Sequence, residues 1–184
     1  MAHIVYGMLM SLDGYIAGPE GELALPAPGA ELHRHFNDWM KRIAVALYGR
    51  RMYEITRFWE RRDERPEASE VEIDFARAWR DTPKVVVSTS LRELGPNARL
   101  VSSNVEEAVK VLKAETEGEI AVSGAGVASS LARLGLIDEY RLYLHPVTLG
   151  GGKPYLEPGI SLKLKRLGTH SLPQGVTLLR YARA

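Results

Sequence analysis

The strongest constraint on this chain is a repeated pattern. A short, largely apolar run stops at a glycine or a cluster of hydroxyls, and helical periodicity follows. Residues 3–10, 43–48, 84–88 and 119–123 are such runs. Consecutive apolar positions, rather than alternating ones, mark strands buried on both faces. Buried strands that alternate with amphipathic helices are βα units, and they build a parallel sheet with helices on both faces. Residues 31–42, 50–59, 70–80 and 105–116 supply helices, with Asn104 as an expected N-cap. A last helix runs from the glycines at 124–126 to about residue 134, and Gly135 caps its end.

The end of the chain changes character. Residues 138–147 read as one long strand, broken by Gly150-Gly151-Gly152. Residues 161–170 and 176–183 then form a hairpin around Pro173-Gln174-Gly175. The expected fold is therefore an α/β domain over residues 1–184, with a mixed, mostly parallel sheet and a C-terminal antiparallel hairpin. Residues 61–69 are charged, contain Pro66 and read as an exposed loop.

Composition narrows the function classes. Formal net charge is +1, so no bulk field draws the chain to nucleic acid or to a membrane surface. No run approaches 18 apolar residues, and the apolar N-terminus lacks the basic flank of a signal peptide, so cytoplasm is the expected compartment. Without cysteine there is no disulfide, thiolate nucleophile or cysteine zinc site. No histidine or carboxylate spacing suggests another metal site.

Four segments could carry chemistry. In Tyr48-Gly49-Arg50-Arg51 a strand ends, glycine turns the chain and two arginines open a helix. Cations oppose the helix dipole there unless an anion joins them, so the segment is either a phosphate site or two solvated arginines. Gly124-Ala125-Gly126 is a second strand-to-helix turn, which could cradle a diphosphate or be only a tight βα turn. Ser88, Thr89 and Ser90 put three hydroxyls at a strand end, suited to a ribose or phosphate, or to capping the next turn. Asp13, just past the first strand, could relay a proton or form an Asx-turn with Gly14.

In this order the segments resemble the dihydrofolate reductase-like superfold. They are closest to the C-terminal reductase domain of bacterial riboflavin biosynthesis, the RibD type. The resemblance is carried by Ser-Leu-Asp-Gly-Tyr-Ile-Ala at 11–17, Tyr-Gly-Arg-Arg-Met-Tyr-Glu at 48–54 and Val-Val-Val-Ser-Thr-Ser-Leu at 85–91. Val-Ser-Gly-Ala-Gly at 122–126 and the run at 135–154 complete it. It implies a three-layer fold and NADPH-dependent reduction of a pterin-, pyrimidine- or other heterocycle-like substrate. A non-catalytic NADP(H)-sensing module is the alternative.

The resemblance also implies site residues. Gly49, Arg50 and Arg51 would hold the cofactor phosphates, Ser88, Thr89 and Ser90 the adenosine ribose, and Gly124, Ala125 and Gly126 the diphosphate. Asp13 would lie beside the nicotinamide. Tyr15, His33, Phe58 and Trp59 are candidate pocket walls, the last two because they lie near the end of the helix that the arginines open. A homodimer is implied, with residues 139–147 and the terminal hairpin as a shared edge. Two departures stand out. His33 occupies the helix position where dihydrofolate reductases carry an acid, which argues against dihydrofolate itself as substrate. Ala125 replaces a glycine, so a cis peptide at that turn would join Gly124 to Ala125, at a cost of about 3 kcal/mol.

Overall fold

In the computed structural model, which describes residues 1–184, eight strands form one sheet. In chain order the first strands are β1 (His3–Met10), β2 (Tyr15–Ala17), β3 (Ile43–Gly49), β4 (Lys84–Val87) and β5 (Ala98–Val101). They are followed by β6 (Glu119–Ser123), β7 (Glu139–Leu144), β8 (Lys153–Pro154), β9 (Leu164–Ser171) and β10 (Thr177–Arg183). The order across the sheet is β5-β4-β3-β6-β1-β7-β10-β9. Pairing is parallel from β5 to β7 and antiparallel for β10 and β9. The mixed, mostly parallel sheet with a terminal antiparallel pair is thus present. β2 and β8 form a separate two-stranded ladder that local periodicity did not reveal.

The helices are α1 (Ala30–Met40), α2 (Arg50–Thr56), α3 (Glu70–Asp81), α4 (Val105–Glu115) and α5 (Ala125–Arg133). Helices α4 and α5 cover one face, where Val109, Leu112 and Leu131 join Ile4, Tyr6 and Ile120 in the main core. On the other face Met40 and Trp79, from α1 and α3, pack with Ala46, Tyr48 and Ala121. Each fully buried aliphatic side chain contributes about 1.5–3 kcal/mol.

β1 is central and buried on both faces, as its unbroken apolar run requires. On the α5 side, the Tyr6 hydroxyl donates to the Tyr155 carbonyl at 2.6 Å, and the Tyr155 hydroxyl donates to the Tyr6 carbonyl at 3.0 Å. On the α1 side, Gly7 leaves room for the Trp39 indole. A Cβ at residue 7 would lie 2.6 Å from Trp39 Cη2.

Several local expectations are corrected. Helix α2 stops at Thr56 rather than at 59, and a 3-10 segment (Arg57–Glu64) follows. That tighter winding lets Trp59 pack against Phe75, with ring centres 4.6 Å apart and the planes tilted by 56°. Part of the presumed exposed loop at 61–69 is tied down, because Arg80 grips Asp63 with two hydrogen bonds and Arg62 bonds Glu72. Asn104 does precede α4 but sits in the left-handed region (φ 48°) and makes no side-chain cap. Asparagine tolerates that conformation better than most residues.

β7 is shorter than the expected strand, and it lies between β1 and β10. It is therefore no shared edge. The open edge on that side is β9, whose residues are mostly exposed.

One ion cluster crosses the α1 face of the sheet. Glu139 is 2% exposed and accepts hydrogen bonds from Arg180 Nε at 2.6 Å and Arg141 Nε at 2.7 Å. Arg141 also pairs with Glu119 through both Nη atoms. Burial alone would push the Glu139 carboxyl up. The Arg180 and Arg141 guanidiniums outweigh it and bring the pKa down to about 2.

Two outcomes follow from this packing. Gly7→Ala forces the Trp39 indole to move, and overpacking of this kind costs about 1–3 kcal/mol, readable as a lowered midpoint in urea unfolding. Glu139 has a folded pKa below its ordinary 4.5, so it contributes stability above pH 4.5 that is lost as pH falls toward 2. Glu139→Gln removes that part of the acid slope, and unfolding curves of both proteins between those pH values measure the difference.

Candidate active site

Strands β3 and β6 are parallel neighbours, with Tyr48 opposite Ser123. Their ends are therefore level, and the two glycine turns far apart in sequence meet in space. A Cβ on Gly124 would stand 3.8 Å from the Gly49 backbone nitrogen and 3.4 Å from Met52 Cβ. Gly124 has φ 109°, a conformation that L side chains rarely adopt, and this φ is what requires glycine there. No peptide bond in the chain is cis, so the Gly124-Ala125 turn is trans and rests on this φ.

A cleft of about 450 Å³ opens at this strand end. Gly49, Arg50 and Arg51 form one wall, and Gly124, Ala125 and Gly126 form the other. Helix α5 begins at Ala125 without a side-chain cap, which leaves its first backbone N–H groups facing the cleft end. Val87 at the end of β4 and Met52 and Ile55 of α2 add apolar surface. The β2–β8 ladder closes the remaining side with Ile16, Ala17, Lys153 and Pro154.

The cleft is positively charged. Arg50 makes only an exposed pair with Glu54 at 3.3 Å, a contact worth little in water. Arg51 donates to the Glu20 carbonyl and lies over Gly21, so it also pins the 18–21 loop beside the cleft. Lys153 pairs through its backbone with Ala17, and its side chain makes no hydrogen bond or ion pair. The one carboxylate on the lining, Glu157, pairs with Arg133 at 3.2 Å. Free N–H groups, two guanidiniums and an ammonium around glycine turns suit a phosphate-bearing ligand.

Other expected site residues lie elsewhere. Ser88 is buried, and its Oγ accepts from the N–H groups of Ser90 and Leu91, so it caps the turn after β4. Thr89 and Ser90 are exposed and do not line the cleft. Asp13 is exposed and holds two backbone donors, Leu149 N–H at 3.0 Å and Gly150 N–H at 2.7 Å. The Ser11 hydroxyl and these N–H groups keep its carboxyl below the usual range.

None of the four proposed pocket walls lines the cleft. His33 is buried, bonds Asn37 at 2.8 Å and meets Trp59 and Phe75 edge-on. Phe58 is 56% exposed beneath the Arg62 guanidinium. Tyr15 belongs to β2, but its neighbours Ile16 and Ala17 are the residues that reach the cleft. The cause for Phe58 and Trp59 is the 3-10 segment, which turns Trp59 toward α1 and α3. Sequence reasoning missed Lys153 and Glu157. The glycine triplet directly before Lys153 was the available signal, since such a break frees the chain to fold back on β2.

Comparison with known proteins agrees with this geometry. The Bacillus subtilis (strain 168) protein YyaP, itself uncharacterised, is 29% identical over 180 residues, covering 97% of this chain and 93% of YyaP. A Shewanella sp. PV-4 protein named for riboflavin biosynthesis superposes with a TM-score of 0.76 at 24% identity, over 100% of this chain and 99% of that one. Dihydrofolate reductase from Enterococcus faecalis, complexed with NADP(H) and RAB-propyl, superposes with a TM-score of 0.64 at 17% identity, over 98% of this chain and 96% of that one. The fold is thus dihydrofolate reductase-like. With residues 2–178 matching the RibD C-terminal domain, the chain belongs to that family.

Proposed function

We propose that this chain is an NADPH-dependent reductase of a small pterin-, pyrimidine- or other heterocycle-like substrate. The observation that carries this is the meeting of the Gly49 and Gly124 turns in one cationic cleft. The residues present fit a dinucleotide phosphate. Gly124 leaves open the space a Cβ would fill, α5 offers uncapped N–H groups, and Arg50, Arg51 and Lys153 supply positive charge. The family membership and the NADP(H) complex of the structurally similar dihydrofolate reductase support the same choice of cofactor.

When bound, the nicotinamide supplies a hydride. The chain's own task is placement. Arg50 and Arg51 bind phosphate oxygens, the Gly124-Ala125-Gly126 turn accommodates the diphosphate, and Met52, Ile55 and Ile16 exclude water. Asp13 acts by position. Its carboxyl is held ionised at neutral pH and has no proton to give, and it fixes residues 149–150 just ahead of Lys153. The engagement of Asp13 away from the cleft also favours a second reading, a module that binds NADP(H) without turnover.

Titration with NADPH and NADH, followed by nicotinamide fluorescence, tests the cofactor. The expected result is tighter binding of NADPH, with a preference that falls by about tenfold in Arg50→Ala, or 1.4 kcal/mol. Equal affinity for the two dinucleotides overturns the phosphate assignment. Oxidation of bound NADPH by a pterin, flavin or pyrimidine panel separates the reductase from the sensor. Asp13→Asn is expected to raise KM for NADPH without shifting the pH profile of turnover. A shifted profile would make Asp13 a proton carrier instead.

A further inference from the structure

A second cavity, of about 430 Å³, lies on the α1 face of the sheet and shares no residue with the cofactor cleft. It arises from an unusual row of cross-strand neighbours. Gly7 of β1 is opposite Arg141 of β7, Arg141 is opposite Arg180 of β10, and Arg180 is opposite Gly168 of β9. Two arginines side by side repel each other, and a glycine on each flank offers them no side chain to pack on. Over Gly7 the gap is filled by Trp39, whose ring lies 5.4 Å from the Arg141 guanidinium. Beyond Arg180 the His170 imidazole covers Gly168, its Nε2 3.3 Å from where a Cβ would stand, and the cavity opens between His170 on β9 and Arg42 just past α1.

The charges are unbalanced. Arg42, Arg141 and Arg180 face the cavity, and Glu119 and Glu139 answer them. Arg141 spends all three of its nitrogens on those carboxylates. Arg180 gives Nε and Nη2 to Glu139, which leaves Nη1 unused. Arg42 is exposed and makes no ion pair or hydrogen bond through its side chain. One positive charge is therefore uncompensated, and two guanidinium groups retain free donors. His35 stands beside these groups as a neutral imidazole. Burial, together with Arg42, Arg141 and His170, lowers its pKa, and Asp38 on its own helix only partly offsets this. Half-buried Trp39 supplies flat apolar surface, and buried Tyr143 backs it, with ring centres 6.0 Å apart.

We propose that this cavity is a second binding site, for a small aromatic or heteroaromatic carboxylate. Its ring lies against Trp39, which Tyr143 backs, and its carboxylate is held between Arg42 and Arg180. The volume is in the range of small-molecule pockets, and a guanidinium fork is matched to a carboxylate. The assignment does not depend on the cofactor assignment, because the two cavities lie at different places on the sheet.

Benzoate is the probe, with benzamide as its neutral isostere. Each is titrated into the full-length protein at fixed ionic strength, and tryptophan fluorescence and two-dimensional NMR shifts are followed. The expected result is saturable benzoate binding that shifts the Trp39 indole resonance. It is weakened at least about tenfold in Arg42→Ala and in Arg180→Gln, absent with benzamide, and unaffected by saturating NADPH. Arg42→Ala touches no core contact, so it keeps the test valid if Arg180→Gln unfolds. Three results would each overturn the site: no saturation, equal binding of benzamide, or benzoate affinity unchanged in Arg42→Ala. Displacement of benzoate by NADPH would move the binding to the cofactor cleft and overturn it as well.

Discussion

Tyr6 and Tyr155 exchange hydrogen bonds through their hydroxyls and carbonyls, with ring centres 4.4 Å apart. This pair fastens the segment that carries Lys153 and Glu157 to the middle of the central strand. Both phenols are buried, and burial pushes both pKa values up, so each stays a neutral donor. An unmade hydrogen bond in that position would carry the full desolvation cost of the group. The β2–β8 ladder, and through it one wall of the cofactor cleft, therefore depends on a contact made deep in the core.

The two faces of the sheet are put to different uses. The α5 face is a core of aliphatic side chains and buried tyrosines, and its Val127 reaches the cleft. The α1 face carries Glu139, Arg141, Arg180 and Glu119 on neighbouring strands. Removing charges from water is expensive, and only mutual hydrogen bonding makes such a cluster tolerable. Pairing is nearly complete for Arg141 and incomplete for Arg180. An apolar core would have had no reason to leave that imbalance, or the space beside it.

Much of the fold was legible in the sequence because burial on both faces leaves a plain mark. The runs at 3–10, 43–48, 84–88 and 119–123 are all sheet strands. The glycine turns at 49 and 124 were legible for the same reason, since each ends such a run. The walls proposed from helix periodicity were not. Phe58 and Trp59 were assigned to a continuing α-helix, and a change of winding at residue 57 turned them away from the cleft. The hydroxyls of residues 88–90 were read as ligand donors, whereas Ser88 satisfies local N–H groups first. Asp13 bonded a loop more than a hundred residues away, a choice that no local pattern records.

The sequence by itself determined where the strands buried on both faces run and which turns are bare of side chains. These are local properties, set by apolar periodicity and by residues that can or cannot take a given backbone conformation. Tertiary structure alone decided that Gly49 and Gly124 share one cleft, because strand order depends on which buried faces fit together. It also decided that Lys153 joins that cleft while His33 does not, and that Arg141 and Arg180 stand side by side above an open space. Those outcomes come from pairings between residues distant in the chain, and such pairings are fixed only when the whole core is packed.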